Sequence, residues 1–323
     1  MTPGRVSLGW LLGPADASAH PSRWWPALLI LLHGGAYLAS LFWYEQSWIV
    51  DYSSPRQLFG TAVMIVLLPT YLVWTMQLSW RKHAVELKTL ADGYPEVDGV
   101  IASARQVGWW ACLLVVLGLV FGFYQNLIHL NASLAQGNFF DWLFLCSNAV
   151  LWGMVALMLS WRIPISWRVG RFGRSVSVDL YQLKEAEPFA RIATFDVLIV
   201  AGAVAFMPLQ ALDAEFRLVN YQYGVVVGLV AMVLVFVVPL WGLRQQIKAA
   251  KLDRQNELMQ QLAQTSREDI RELEVLSAHL ERIKSMSAWP VDITVLQRIL
   301  LYVIIPPAAW VGAALVENLV DSF

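Results

Sequence analysis

Two acidic residues, Glu317 and Asp321, stand four positions apart at the end of an apolar run that begins at Ile299. Residues at this spacing share one face of a helix. In a rotationally symmetric assembly the pair makes two stacked acidic rings, a form that attracts cations. The same run contains Pro306 and Pro307, which cannot donate to the carbonyls of Tyr302 and Val303. An unsatisfied carbonyl is costly in lipid, so the break is expected inside a bundle, at a subunit interface or along an aqueous path. Tyr302, Pro306, Pro307, Gly312, Glu317 and Asp321 are therefore the candidates for an ion path.

Other polar residues inside apolar runs are the next place where chemistry is expected. Gln125, Asn126 and His129 end one run, and Asp141, Ser147 and Asn148 occupy the start of the next. The short loop between them predicts one polar cluster of Gln125, Asn126, His129, Asp141 and Asn148 at the outer mouth of the bundle. His33, beside Gly34 and Gly35, reads as a hydrogen-bonded packing histidine. Asp196 lies five residues inside a run that begins at Ile192, within reach of Arg191 or another cation at the cytoplasmic rim.

Enzyme signatures are missing. The chain has no Gly-x-x-x-x-Gly-Lys loop, no His-Glu-x-x-His helix and no Cys-x-x-Cys pair. Its five histidines lie on separate segments without ligand spacing, so no metal or cofactor is expected. No apolar run holds a lysine, which excludes a Schiff-base chromophore. Neither catalysis nor nucleic-acid binding is expected.

The elements that position these residues are membrane helices. Hydrophobic residues make up 58% of the 323 and charged residues 15%, against about 25% charged in a soluble domain. The apolar residues gather in runs of about 20, enough to cross roughly 30 Å of hydrocarbon. Seven spans are expected: Trp24–Tyr44, Leu58–Trp80, Val107–His129, Phe139–Trp161, Ile192–Leu212, Tyr223–Leu243 and Ile299–Val316. The fold class is an all-α polytopic membrane bundle. It divides into a mobile cytoplasmic arm (1–23), a six-span bundle (24–243), a cytoplasmic helical hairpin (244–297) and a seventh span (298–323).

Basic residues set the orientation. Of the 23 Lys and Arg, only Arg56 and Arg217 lie on the side opposite the N-terminus. The N-terminus is thus expected in the cytoplasm and the C-terminus outside, in the inner or plasma membrane. Trp80, Trp161 and Trp241 each precede a cation closely, as aromatics at a cytoplasmic membrane boundary do. The basic segment 162–191, with Trp167 and Phe172 interleaved, is expected along the lipid headgroups.

Packing signals recur. Gly118 and Gly122, Gly224 and Gly228, and Ala308 and Gly312 are small residues four apart, each pair baring a strip where another backbone can approach. Within 244–297, two helices of about 244–263 and 267–287 are expected, the second starting near Ser266 and Asp269. Leu273, Leu276, Leu280 and Ile283 form a heptad-like apolar seam on it. These surfaces predict a homo-oligomer. Cys112 and Cys146 sit at different depths, so no disulfide is expected.

The tail "WPVDITVLQRILLYVIIPPAAWVGAALVENLVD" resembles that of a group of uncharacterised prokaryotic multi-span membrane proteins. The order of parts is similar to the seven-transmembrane ion channels that include insect odorant and gustatory receptors, although their last-helix signature is missing here. That resemblance implies a tetramer with the last helix lining a cation path. The leading expectation is a channel-like pore. The alternatives are a secondary transporter of a small solute or ion, and a scaffold that recruits a partner through the hairpin.

Overall fold

The computed structural model describes residues 5–12, 24–42, 55–129, 138–181, 183–206, 222–266 and 269–291, with single positions at 297, 301 and 304. The ion-path candidates Tyr302, Pro306, Pro307, Gly312, Glu317 and Asp321, and the packing residue Ala308, lie outside the described residues.

Among the described residues the protein is all-α apart from one short ribbon. In chain order the elements are β1 (Arg5–Ser7), α1 (Gly9–Leu12), α2 (Trp24–Phe42), α3 (Pro55–Ala62), α4 (Leu68–Lys88), α5 (Glu96–Ala104), β2 (Gln106–Gly108), α6 (Trp110–His129), α7 (Phe139–Phe172), α8 (Glu187–Ala205), α9 (Gln222–Gln264) and α10 (Ile270–Ser285). Among the described residues, four helical stretches are long and apolar enough to cross a membrane: Leu58–Lys88, Phe139–Phe172, Glu187–Ala205 and Tyr223–Gln264. Pro26–Phe42 and Trp110–Gln125 are shorter apolar helices.

Helix α7 is the hub. It packs against α6, α9, α4, α5 and α2, while α8 fills the space between α4 and α9. The α6–α7 contact depends on glycine. A Cβ added at Gly118 would lie 2.6 Å from the Trp152 carbonyl oxygen, and one at Gly122 would lie 2.7 Å from that of Asn148. Both residues therefore serve packing within the chain. Gly228 likewise abuts Val204 of α8, and Gly224 is buried.

α3 and α4 are joined by a π-helical turn, Val63–Leu67. Such a turn shifts the hydrogen-bond ladder and frees backbone oxygens. His33 Nδ1 lies 2.9 Å from the Ile65 oxygen. One turn further along α2, Tyr37 donates to the Leu58 oxygen at 2.6 Å. His33 is thus the hydrogen-bonded packing residue expected from its setting.

Residues 5–12, part of the arm expected at 1–23, are docked on the bundle. β1 pairs antiparallel with β2, Val6 opposite Val107. Leu8, Leu11 and Leu12 are buried, and Gln77 donates through Nε2 to the Leu11 oxygen at 3.0 Å. Burial of three leucines outweighs the ordering of one short turn. A strand of three residues is too short to leave an alternation in the sequence.

Helix lengths also differ from expectation. α4 runs eight residues beyond Trp80 and α7 eleven beyond Trp161, passing through Pro164. Trp80 and Trp161, expected at a lipid boundary, are each only 1% exposed. Trp161 donates to the Ala104 oxygen at 2.9 Å, and Arg168 donates to the Ser103 oxygen at 2.6 Å. These bonds satisfy carbonyls at the end of α5, so the tryptophan acts as a helix clamp. Trp241 does remain exposed.

α10 begins at Ile270 with Asp269 before it, slightly later than the sequence predicts, and packs back along the end of α9. Leu273, Leu276 and Leu280 are its half-buried positions and Ile283 is fully buried, so the apolar seam meets α9 of the same chain. Lys251 of α9 donates to the oxygens of Lys284 and Met286 at 2.7 and 2.8 Å.

Candidate functional site: a buried charge cluster between α4, α7 and α8

Asp196 is the tenth residue of α8, on the face turned toward α4 and α7, and is fully buried. An isolated carboxylate in such a place is prohibitively costly, so its partners determine whether it can stay ionised. Arg162 of α7 places Nη1 2.8 Å from Asp196 Oδ1. His83 of α4 places Nε2 2.9 Å from Oδ2 and 3.1 Å from Oδ1. Ser79, one turn before His83, donates to Oδ1 at 3.1 Å. Three helices thus converge on one carboxylate.

Local sequence explains each placement. Ser79 and His83 are four residues apart and share one face of α4. On α7, Met158, Trp161, Arg162, Ile165, Val169 and Phe172 are all buried, a helical stripe that carries the arginine inward. The Arg162 guanidinium also lies over the Trp161 ring, 5.2 Å from its centroid. Tyr71, two turns before Ser79 on α4, donates to the Ile199 oxygen of α8 at 2.8 Å and ties the same two helices.

The cluster is tightly held on one side and open on another. Two buried Arg162 nitrogens, Nε and Nη2, make no hydrogen bond, and Nη1 meets Asp196 as an ion pair without hydrogen-bond alignment. His83 Nδ1 is buried and has no hydrogen-bond partner. Asp196 is acceptor-only when ionised, so it selects the His83 tautomer that donates from Nε2. Nδ1 is then a free lone pair inside the protein, available to a hydrogen-bond donor.

A second layer of charge rims this centre. Glu86, one turn beyond His83 and 3% exposed, pairs with Lys82 at 2.5 Å and with Arg191 at 3.6 Å. Arg191 also pairs with Glu187 at 2.9 Å. Asp196 therefore meets Arg162, while Arg191 serves the rim. A cation was expected for Asp196. Its source on α7 was not.

The polar residues of α6 and α7 have other duties. Asp141 and Asn138 form a reciprocal cap on the first turn of α7, with bonds of 3.0 Å each way. Asn148 donates to the Gly122 oxygen at 3.4 Å across the α6–α7 contact. Gln125 is half-buried, and the side chains of Asn126 and His129 lie outside the described residues. Cys112 and Cys146 are free and exposed.

No group of three or more His, Cys, Asp or Glu placed to hold a metal ion occurs among the described residues. Comparison of the chain with protein families, curated proteins and solved structures finds no match.

Proposed function

We propose that the protein is a multi-span membrane transporter that couples movement of a small solute or ion to protonation of the buried cluster. The observation that carries this is the His83 ring: Nε2 is fixed by Asp196 while the buried Nδ1 is left without a partner. Ionisable groups inside a membrane bundle are costly, and carboxylate–imidazole pairs are a recurrent proton seat in transporters. Proton arrival on Nδ1 adds a positive charge beside Arg162 and Asp196. That charge weakens the hold of Arg162 on the carboxylate and loosens the junction of α4, α7 and α8. Ser79, Glu86, Lys82 and Arg191 are the other polar and charged groups near this ring.

The proposed topology has seven spans, a cytoplasmic N-terminus, and α9–α10 as a cytoplasmic hairpin. Its support is the concentration of Lys and Arg in the segments assigned to the cytoplasm.

The test is a pH jump on protein-loaded membranes adsorbed to a conducting support. A transporter of this kind gives a transient charge displacement that disappears in His83→Gln and Asp196→Asn. A second reading, a homo-oligomeric cation channel lined by the last span, is favoured by the Pro306–Pro307 break and by Glu317 and Asp321 on one face. It gives a sustained current under a salt gradient, with weaker cation selectivity when both acids become Gln. A displacement unchanged in His83→Gln overturns the proton-coupled reading, and silence under both protocols overturns both.

A further inference from the structure

We infer that α7 and α9 together form a specific site for the phosphate headgroup of an anionic phospholipid. The two helices cross in the same direction with Gly170 against Val238 and Pro239, and Gly242 against the Gly170 carbonyl. This close crossing leaves an open cleft of about 160 Å³ beside it, lined by Trp167 and Arg171 of α7, by Arg174 just beyond its end, and by Val237, Val238 and Trp241 of α9.

The order of chemistry along the cleft fits a lipid. Along α9 the apolar Val237 and Val238 precede the exposed Trp241, and along α7 the exposed Trp167 precedes Arg171, with Arg174 just beyond the helix end. Arg244 follows Trp241 on α9 in the same sense. Apolar wall, amphipathic ring and cation is the order in which acyl chain, interface and phosphate are met. Trp167 and Trp241 also fix two of the cations, with Arg171 5.0 Å above the first ring and Arg244 5.1 Å above the second. Arg244 stacks on Trp289 as well, at 4.7 Å.

Charge decides the occupant. No acidic side chain lines the cleft, and neither Arg171 nor Arg174 has a carboxylate at ion-pair distance among the described residues. Elsewhere on the rim, Lys82 and Arg191 are compensated by Glu86. Two uncompensated guanidiniums, Arg171 resting on the Trp167 ring and Arg174 beside it in the cleft, match one phosphodiester. A free phosphate shares that chemistry but makes no use of the two valines.

The test titrates the full-length detergent-purified protein with phosphatidylglycerol, phosphatidylcholine or inorganic phosphate and counts bound molecules by native mass spectrometry. The expected result is preferential retention of phosphatidylglycerol over phosphatidylcholine. Arg171→Gln/Arg174→Gln lowers phosphatidylglycerol affinity roughly thirty-fold, since each cation near anionic lipid matters about equally. Arg271→Gln/Arg282→Gln, at two exposed arginines on α10, leaves it unchanged and controls for net charge. Equal retention of the two lipids overturns the inference. So does a double variant that keeps the wild-type preference, or inorganic phosphate that displaces phosphatidylglycerol completely at equal concentration.

Discussion

Helix α7 is held in two places by opposite physics. Against α6 it is held by absence of side chain: Gly118 and Gly122 let the backbones meet and leave nothing to titrate. Against α4 and α8 it is held by Arg162, whose charge is matched by Asp196 and shared with His83. The glycine contact has one arrangement, because a packed interior resists continuous deformation. Under the proposed function the charged contact has two, because a proton would alter its balance. A membrane protein that must change shape is expected to keep the first contact and release the second.

The largest effect should come from splitting the ion pair. Asp196→Ala leaves Arg162 buried without a counter-charge, a loss of about 3–5 kcal/mol. The matched double variant Arg162→Met/Asp196→Leu removes both charges and should recover most of that loss. Apparent Tm in detergent separates the two outcomes. If the double variant is as unstable as the single, the junction is held by more than the pair.

Next is the glycine contact. Gly122→Leu drives a branched side chain into the Asn148 carbonyl and the Ala149 backbone, which should cost about 1–3 kcal/mol by overpacking. This variant should lower Tm without changing any response to pH, the reverse of His83→Gln. A Gly122 variant that also shifts the pH response would show the two contacts to be coupled.

These contrasts explain what could be seen in the sequence. Gly118 and Gly122 announce themselves by spacing, and their partner is simply the next helix in the chain. Asp196 is visible as a lone charge in an apolar run. Arg162 is hidden, because it follows the last residue of an apolar run and precedes Pro164, where a cation ordinarily marks a cytoplasmic rim. The missed signal is the stripe continued past it by Ile165, Val169 and Phe172, which shows that the helix and its buried face go on. His83 was hidden in the same way, three residues beyond Trp80. Counting charges by segment treats every residue after a span as wet, whereas helices that overrun the apolar core can carry charges back toward it.

A smaller effect is expected at α3, just before the π-helical turn. Tyr37→Phe removes the 2.6 Å bond to the Leu58 oxygen, but Thr61 still donates to that oxygen at 2.9 Å. The carbonyl is not orphaned, so the loss should stay near 1 kcal/mol. Hydrogen exchange at α3 should rise only modestly, and a collapse of protection there would mean that Tyr37 does more than bond.

The smallest effect tests how firmly α10 is fixed. The last carbonyls of a helix lack intrahelical donors, and a cation there also meets the negative end of the helix dipole. Lys251 supplies both from α9, reaching the oxygens of Lys284 and Met286. The apolar seam ending in Ile283, which is fully buried, carries the main hold on α9. Lys251→Met should therefore cost only about 0.3–1 kcal/mol. It should show as faster amide exchange confined to the last turn of α10, with Tm nearly unchanged. Ile283→Ala removes a buried branched side chain and should cost about 2–5 kcal/mol locally, freeing the whole of α10. If Lys251→Met releases α10 as fully as Ile283→Ala does, the contact is polar in origin. α10 would then belong with the releasable charged junction and not with the fixed glycine contact.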